Sequence, residues 1–209
     1  TLSVHAPYYI NLNSENRQKV QESKQRILRS AELADYMHAS PVVFHPGFYG
    51  KRSKEEVYDI IKNEIDEMLE IIKNKNWEVE LAPETMGRVS QFGTFEETID
   101  LAKETKSNFC IDICHIYARN QGKIDYDYIF AELKKLKRNR IHFQFSGVEF
   151  GPQGEKRHLV INSHPDFKGF SEELIETKTD ATIICESPVT WQDSLKMKNR
   201  VLSLLAAVL

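Results

Sequence analysis

The sequence lacks the features that mark several large classes of protein. Its 209 residues contain no apolar run close to the roughly 20 residues that span a bilayer, and no charged-then-apolar leader opens the chain. Only three cysteines are present, and an odd number does not favour a disulfide framework. We therefore expect a soluble protein that stays in the reducing cytoplasm.

Strong net charge is also lacking. The formal net charge is -3, with 28% charged and 41% hydrophobic residues. No global field attracts such a chain to nucleic acid, although bound metal ions would add positive charge that the composition does not count. Since no repeat, low-complexity segment or linker rich in Pro, Gly and Ser divides the chain, we predict one domain over residues 1–209.

What the sequence does contain is an alternation of short apolar runs and longer helical patterns. The apolar runs are predicted strands, each nearly continuous in apolar character, as in a sheet covered on both faces. The predicted strands are Leu2–His5, Pro41–His45, Glu78–Glu84, Asn108–Asp112, Arg140–Phe145 and Thr182–Glu186. Three predicted helices begin after Ser14 and at the capping boxes Ser53/Glu56 and Thr94/Glu97. Three more are predicted over Tyr126–Leu136, Ser171–Glu176 and Asp193–Val208. This alternation predicts parallel βα units.

Each predicted strand has a side chain able to bind a metal ion at or near its end. These side chains are His5, His45, Glu84, Asp112, His142 and Glu186. The outer strand ends of an open sheet cannot converge on one site, whereas all strand ends of a (β/α)₈ barrel surround one mouth. The sequence therefore predicts an α/β fold of the TIM-barrel type. Because such barrels have eight strands and about 250 residues, we expect this chain to lack the first two βα units.

The residue types at these positions predict a particular class of metal. Imidazole with carboxylate favours zinc or manganese, whereas an all-oxygen set would favour magnesium or calcium. His115 and His158 also lie at or just after a predicted strand end, which makes eight candidate ligands. Eight are too many for one tetrahedral ion, so two or three ions sharing carboxylates are expected. Cys110 and Cys114 are predicted to be small buried apolar groups instead of zinc thiolates.

Two motifs closely resemble the endonuclease IV family. Phe44-His45-Pro46-Gly47 resembles its Phe-His-Pro-Gly motif. Cys110-Ile111-Asp112-Ile113-Cys114-His115 resembles its Cys-(Ile/Leu)-Asp-Thr-Cys-His motif, with Ile113 in place of Thr. Less specific matches follow in the family's order, at His5–Leu12, Pro83–Thr85, His142, Glu155–His158 and Cys185–Glu186. The resemblance extends from the first residue to about Pro188.

The resemblance implies up to three zinc ions, with manganese as the alternative metal. His5, His45 and Glu84 would hold one ion. Glu84, Asp112, His142 and Glu186 would hold a second, and His115 would hold a third with Glu155 and His158 from the last loop. The family has Asp-x-His where this chain has Glu155-Lys156-Arg157-His158, and the longer carboxylate and extra residue would offset each other in reach. Glu84 and Glu186 are the expected catalytic residues.

The resemblance also implies a reaction and a substrate. The reaction is hydrolysis of the phosphodiester 5′ to an abasic site in double-stranded DNA, by a water that metal ions activate near neutral pH. Tyr8 would insert into the duplex beside the lesion, and Lys51, Arg52, Lys156 and Arg157 would contact phosphates. We expect a monomeric enzyme with no membrane partner.

Two other functions remain open from the sequence. A sugar isomerase or epimerase of the xylose-isomerase-like barrels would use similar ligands with one or two ions, and His115, Glu155 and His158 favour the nuclease over it. A metal-binding fragment with weak catalysis would follow if the first two βα units are absent.

Overall fold

The computed structural model describes residues 1–208, so Leu209 of the predicted domain lies outside the described part. In chain order the elements are β1 (Val4–His5), α1 (Arg17–Tyr36), β2 (Val42–Phe44), α2 (Lys54–Lys75), β3 (Leu81–Pro83), α3 (Phe95–Thr105), β4 (Cys110–Asp112), α4 (Ile113–Arg119), α5 (Tyr126–Lys135), β5 (Ile141–Phe145), β6 (Gly147–Gly151), β7 (Gly154–Leu159), α6 (Phe167–Glu176), β8 (Ala181–Cys185) and α7 (Trp191–Val208). All six predicted strands are present. The short helix α4 and the strands β6 and β7 were not predicted. None of the described helices combines the length and apolar character needed to cross a bilayer.

Contacts within the chain group it into two compact units, Thr1–Cys110 and Ile111–Leu209. In the first unit, β1, β2 and β3 form a parallel sheet in that order. In the second unit, β5 pairs in parallel with β8, and β6 pairs with β7 in an antiparallel hairpin. Helices follow parallel strands in both units, as βα units require. The single predicted domain stays a prediction.

Both predicted capping boxes begin helices of the first unit. At α2, Ser53 Oγ accepts from the Glu56 N–H at 3.2 Å, and Glu56 Oε2 accepts from the Ser53 N–H at 2.9 Å. Thr94 and Glu97 form the same reciprocal pair at α3. Each box satisfies two N–H groups that a helix start leaves without partners. The buried face of α2 follows the helical period, with Val57, Ile61, Ile65, Met68 and Ile72 in the core.

Helix α1 begins two residues later than the sequence suggested. Asn16 is its N-cap, and its side chain accepts from the N–H groups of Gln18 and Lys19. The Ser14 hydroxyl accepts from the Asn16 N–H at 3.2 Å and so supports the cap from outside the helix. Asn and Ser are both good N-caps, which is why the sequence pattern did not separate them.

Strand β5 separates the apolar core of the second unit from a polar face. Phe143 and Phe145 point to one side, where they pack against aromatic rings of α5 and α6. These rings belong to Phe130, Phe167 and Phe170. Since side chains alternate along a strand, His142 and Gln144 face the other side, and Ser146 continues that row directly after the strand.

Candidate metal centre

Three predicted ligands of the first unit lie together at the ends of its strands. His5 is the last residue of β1, His45 follows β2, and Glu84 follows β3. The Nε2 atom of His5 lies 2.9 Å from Glu84 Oε2, and the Nε2 atom of His45 lies 3.4 Å from the same oxygen. The parallel register of three adjacent strands brings these residues, distant in sequence, to one edge of the sheet.

The proton positions in this cluster suit a cation. His5 Nδ1 lies 2.7 Å from the Ala6 carbonyl, which can only accept, so Nδ1 carries a proton. A neutral His5 ring then presents its Nε2 lone pair to Glu84, whose carboxylate is fully buried. A divalent ion would satisfy both groups, and two imidazoles with one carboxylate are the donor set that zinc accepts. The residues present therefore fit a metal ion.

Two glycines allow the loops after β2 and β3 to close around the cluster. Gly47 has φ +136°, and a Cβ there would lie 2.4 Å from Asn11 Oδ1 in the loop after β1. Gly93 has φ +123°, and a Cβ there would lie 2.8 Å from the Glu84 carbonyl oxygen. Both positions combine a backbone conformation that favours glycine with a close approach that excludes other residues.

In the second unit, four predicted ligands from separate elements converge. They are His115 on α4, Glu155 and His158 on β7, and Glu186 after β8. The Nε2 atoms of His115 and His158 lie 3.4 Å and 3.7 Å from the Glu155 carboxylate, and His158 Nε2 is also 3.7 Å from Glu186 Oε2. These distances join two imidazoles and two carboxylates in pairs, and both donor types are ones that a divalent ion accepts.

The short helix α4 positions His115. Asp112 is its N-cap, and Asp112 Oδ1 accepts from the His115 N–H at 2.9 Å. The other carboxylate oxygen lies 3.7 Å from His115 Nδ1, and both residues are buried. The remaining predicted ligand, His142, is buried on the polar face of β5.

The spacing of Glu155 and His158 is explained by an irregularity of the hairpin. These residues were predicted to lie in a loop, but they lie on strand β7. Regular alternation would put residues three apart on opposite faces. However, Glu149 pairs with Arg157 and Phe150 with Glu155, so Lys156 is an extra residue in β7. This β-bulge turns Glu155 and His158 to the same side.

The predicted DNA-contacting residues have different surroundings. Tyr8 is 72% exposed, and its ring centroid lies 5.4 Å and 5.2 Å from those of His5 and His45. Lys51 is exposed. By contrast, Arg52 donates to the Asn13 carbonyl and side chain at 2.9 Å and 2.7 Å, which joins two loops.

The other two predicted phosphate contacts lie on the hairpin and share one acid. Lys156 Nζ and Arg157 Nε lie 3.4 Å and 2.8 Å from the carboxylate of Glu149. Glu149 therefore offsets part of their positive charge, and these two basic residues lower the pKa of its carboxyl below its usual value.

Cys114 is buried beside the second cluster. Its Sγ lies 3.6 Å from His158 Nδ1, and it forms a group with His115 and His158 that is compact enough for a metal ion. Burial, with Asp112 nearby, raises the pKa of the thiol well above its usual value. That direction favours the protonated thiol and agrees with the apolar role expected from the sequence.

Sequence reasoning missed two polar residues of this site. Gln144 and Ser146 are both buried, and each contacts a predicted ligand. Polar residues alternating with Phe143 and Phe145 were the available signal, because a buried polar group needs a partner.

Comparisons with known sequences agree with the motifs. The chain is 39% identical over 202 residues to an uncharacterized protein of Methanocaldococcus jannaschii, covering 92% of this chain and 74% of that protein. It is 33% identical over 168 residues to a probable endonuclease 4 of Mycoplasmopsis pulmonis, covering 76% of this chain and 59% of that relative. The chain therefore spans less than two thirds of the length of this endonuclease 4 relative.

Solved structures support the fold class. Endonuclease IV from Thermus thermophilus matches 98% of this chain and 76% of its own, with a TM-score of 0.73 and 20% identity. A D-tagatose 3-epimerase-like protein matches 99% of this chain and 77% of its own, with a TM-score of 0.76 and 21% identity. At these identities the likeness concerns the fold alone.

The family assignment comes from the sequence profile of the xylose isomerase-like TIM barrels, which matches residues 1–202. The predicted α/β fold of the TIM-barrel type is confirmed by this match and by the solved structures. The chain therefore belongs to AP endonuclease family 2, the xylose isomerase-like TIM barrels, as its Phe-His-Pro-Gly and Cys-Ile-Asp-x-Cys-His motifs predicted.

Proposed function

We propose that this protein is a zinc-dependent endonuclease that hydrolyses the phosphodiester 5′ to abasic sites in double-stranded DNA. The main support is the chemistry of the two clusters, in which buried strand ends and the β6–β7 hairpin bring carboxylates against pairs of imidazoles. The similarity to a probable endonuclease 4 supports a nucleic-acid substrate. A DNA substrate would agree with the cytoplasmic location expected from the sequence.

The chain's own residues would divide the work. His5, His45 and Glu84 would hold one ion, and Asp112, His115, His142, Glu155, His158 and Glu186 would supply the ligands for the others. Bound divalent ions lower the pKa of water and neutralise charge on a phosphate. The Glu186 side chain is 23% exposed, and its carboxylate would orient the attacking water by accepting a hydrogen bond from it.

Recognition would depend on the missing base. An abasic nucleotide has lost its stacking partner, so moving it out of the duplex costs less free energy than moving an intact nucleotide. Tyr8 is exposed beside His5 and His45, where its ring would fill the space left in the duplex. Lys51, Lys156 and Arg157 would contact phosphates at the rim, and Arg52, whose Nη1 donates to Asn13, would do so through its other N–H groups.

A sugar isomerase or epimerase is the second candidate, because a D-tagatose 3-epimerase-like protein shares the fold. Such an enzyme would need one or two ions. The cluster of His115, Glu155 and His158 on α4 and β7 offers an additional set of ligands, which supports the hydrolase.

The decisive experiment combines elemental analysis with incision of a DNA duplex that carries one abasic site. We expect bound zinc and cleavage at the lesion, with an intact duplex left uncut. Glu84→Gln should keep the fold but lower metal binding and incision by more than about 100-fold, the upper range for partners that only orient a ligand. Glu78→Gln, an exposed glutamate in the segment before β3, is the matched control. Undiminished incision by Glu84→Gln, or metal-loaded protein that epimerises a ketose and leaves the DNA intact, would refute the proposal.

A further inference from the structure

Two buried polar residues on the polar side of β5, Gln144 in the strand and Ser146 directly after it, are not among the predicted metal ligands. Gln144 is 2% exposed and Ser146 is fully buried, so both had to find partners on folding. Each lies against a side chain that comes from a different element of the second unit: Glu186 after β8 for Gln144, and His158 on β7 for Ser146.

Gln144 fixes one oxygen of Glu186. Its Nε2 lies 2.7 Å from Glu186 Oε1, and since a carboxylate can only accept, the amide donates. The Glu186 N–H also donates to the Phe145 carbonyl at 3.0 Å, which holds the backbone beside the end of β5. With Oε1 engaged, Oε2 is the oxygen that faces His158 Nε2 at 3.7 Å.

Ser146 selects the protonation site of the His158 ring. Its Oγ lies 2.7 Å from His158 Nδ1 and 2.8 Å from the Gly147 carbonyl oxygen. The hydroxyl has one proton, and the carbonyl oxygen can only accept it. The Ser146 oxygen therefore accepts from His158 Nδ1–H, which leaves the lone pair on Nε2, the atom that faces Glu155 and Glu186.

This arrangement also determines which edge of the His158 ring can bind a metal ion. Cys114 Sγ lies 3.6 Å from Nδ1, on the edge that Ser146 occupies. The carboxylates lie at the Nε2 edge. A ligand set of Cys114 with His158 would need Nδ1 deprotonated, and Ser146 opposes that tautomer. The two sets are alternatives, and Ser146 favours the carboxylate set.

We propose that Gln144 and Ser146 are positioning residues that orient Glu186 and His158 for a metal ion in the second unit. This inference rests on the proposed metal-dependent function. Residues that hydrogen-bond to metal ligands fix their tautomer and orientation, and their loss typically lowers metal affinity about 10- to 100-fold.

The first test is made on metal-free wild-type protein, so it needs neither catalysis nor DNA. Long-range ¹H–¹⁵N NMR correlations distinguish the two imidazole tautomers, and His158→Gln assigns the signals. We expect the Nδ1–H tautomer for His158. The Nε2–H tautomer would overturn the role of Ser146 while leaving the proposed nuclease function untouched.

The second test measures zinc affinity by competition with a chelator and cobalt coordination by visible absorption. Ser146→Ala and Gln144→Met should each weaken binding of the ion in the second unit about 10- to 100-fold. Ser171→Ala is the matched control, because Ser171 is also fully buried but donates to the Lys168 carbonyl within α6.

Thermal unfolding of each variant separates a loss of metal affinity from a loss of folding. Zinc affinity of Ser146→Ala and Gln144→Met equal to that of Ser171→Ala would refute the positioning role. If incision of abasic DNA is absent but these affinities fall as expected, the proposed reaction fails and the positioning role stands.

Discussion

At the scale of single residues, the two clusters depend on which atoms carry protons. His5 and His158 each have Nδ1 engaged by an oxygen and Nε2 turned toward a carboxylate. In both rings the tautomer is thus set by a hydrogen bond at Nδ1, the nitrogen that faces away from the carboxylate. The same arrangement occurs in two separate parts of the sequence, which supports the proposal that Nε2 would be the metal-binding atom in each.

Cysteine reactivity tests the expected role of Cys114. Cys110 and Cys114 are fully buried, whereas Cys185 is partly exposed. Because alkylation needs an accessible thiolate, iodoacetamide at about pH 7 should modify Cys185 more than about 10-fold faster than Cys114. Mass spectrometry of the native protein measures the rates, and labelling in urea shows that all three thiols can react. Rapid native labelling of Cys114 would contradict its assignment as a buried, protonated thiol.

The sequence predicted those residues whose position follows from a strand end. His5, His45 and Glu84 lie together because each ends a short apolar run and parallel strands bring such ends together. Their role as metal ligands stays a prediction. Gln144 and Ser146 were not found, because their role depends on distances to residues 42 and 12 positions away in the chain. Such distances are set by packing, which a one-dimensional pattern does not contain.

At the scale of elements, the β-bulge in the hairpin makes Glu155 and His158 neighbours. Deleting Lys156 should restore the regular alternation of β7 and place the two side chains on opposite faces. We therefore expect the deletion to abolish zinc binding by the second cluster while the first cluster still binds. Elemental analysis gives the number of zinc ions that each variant binds, and cobalt spectra of each variant give a second measure of metal binding.

The matched control for the deletion is Lys156→Ala, which removes the side chain and its contact with Glu149 but keeps the extra residue. This variant should bind the same number of ions as the wild type. If Lys156→Ala and the deletion lose zinc equally, the side chain and not the bulge is responsible.

The capping box of α3 should contribute more to stability than that of α2. The Glu97 carboxylate accepts from the Thr94 and Gly93 N–H groups and from the Tyr49 hydroxyl at 2.7 Å. In the described part of the chain Glu56 accepts from the Ser53 N–H alone. Hydrogen bonds to charged groups each contribute about 1.5–3 kcal/mol, and Glu97 accepts two more of them than Glu56 does, so Glu97→Ala should lower the free energy of unfolding by at least about 3 kcal/mol.

Glu56→Ala is the control for that measurement. It should lower the free energy of unfolding by about 1 kcal/mol, the loss that is typical of a helix cap. Urea unfolding of both variants gives the comparison. Because Tyr49 lies in the loop that carries His45, and Gly93 packs on Glu84, we also expect Glu97→Ala alone to weaken zinc binding by the first cluster. Equal destabilisation by the two variants would contradict the larger contribution of Glu97 to stability.

Elements with a strong periodic pattern were predictable, and the others were not. The apolar strands and both capping boxes were found, since each has a local signal of a few residues. Helix α4 follows β4 without a linker, so the sequence showed one apolar run there. The β6–β7 hairpin, Gly147–Leu159, is rich in charged residues and glycine, and the bulge further disturbs its alternation.

At the scale of the whole molecule, the net charge of -3 conflicts with binding a polyanion. The proposed metal ions remove the conflict. Three divalent ions bound to carboxylates and neutral imidazoles would change the net charge to about +3, and this charge would be concentrated where the phosphate must lie. DNA binding should therefore depend on metal more strongly than it does in a protein with a basic surface.

The corresponding prediction concerns the affinity for a duplex with an uncleavable abasic analogue. Metal-loaded protein should bind it more than about 10-fold tighter than protein stripped with a chelator, and the difference should shrink as salt rises from about 50 to 200 mM. Fluorescence anisotropy measures both effects. His45→Ala with the same added zinc is the control, because ions that merely bridge protein and DNA would act on it equally. Equal affinity of loaded and stripped wild-type protein would show that the ions do not attract the DNA, and the basic residues Lys51, Lys156 and Arg157 would then have to supply the attraction.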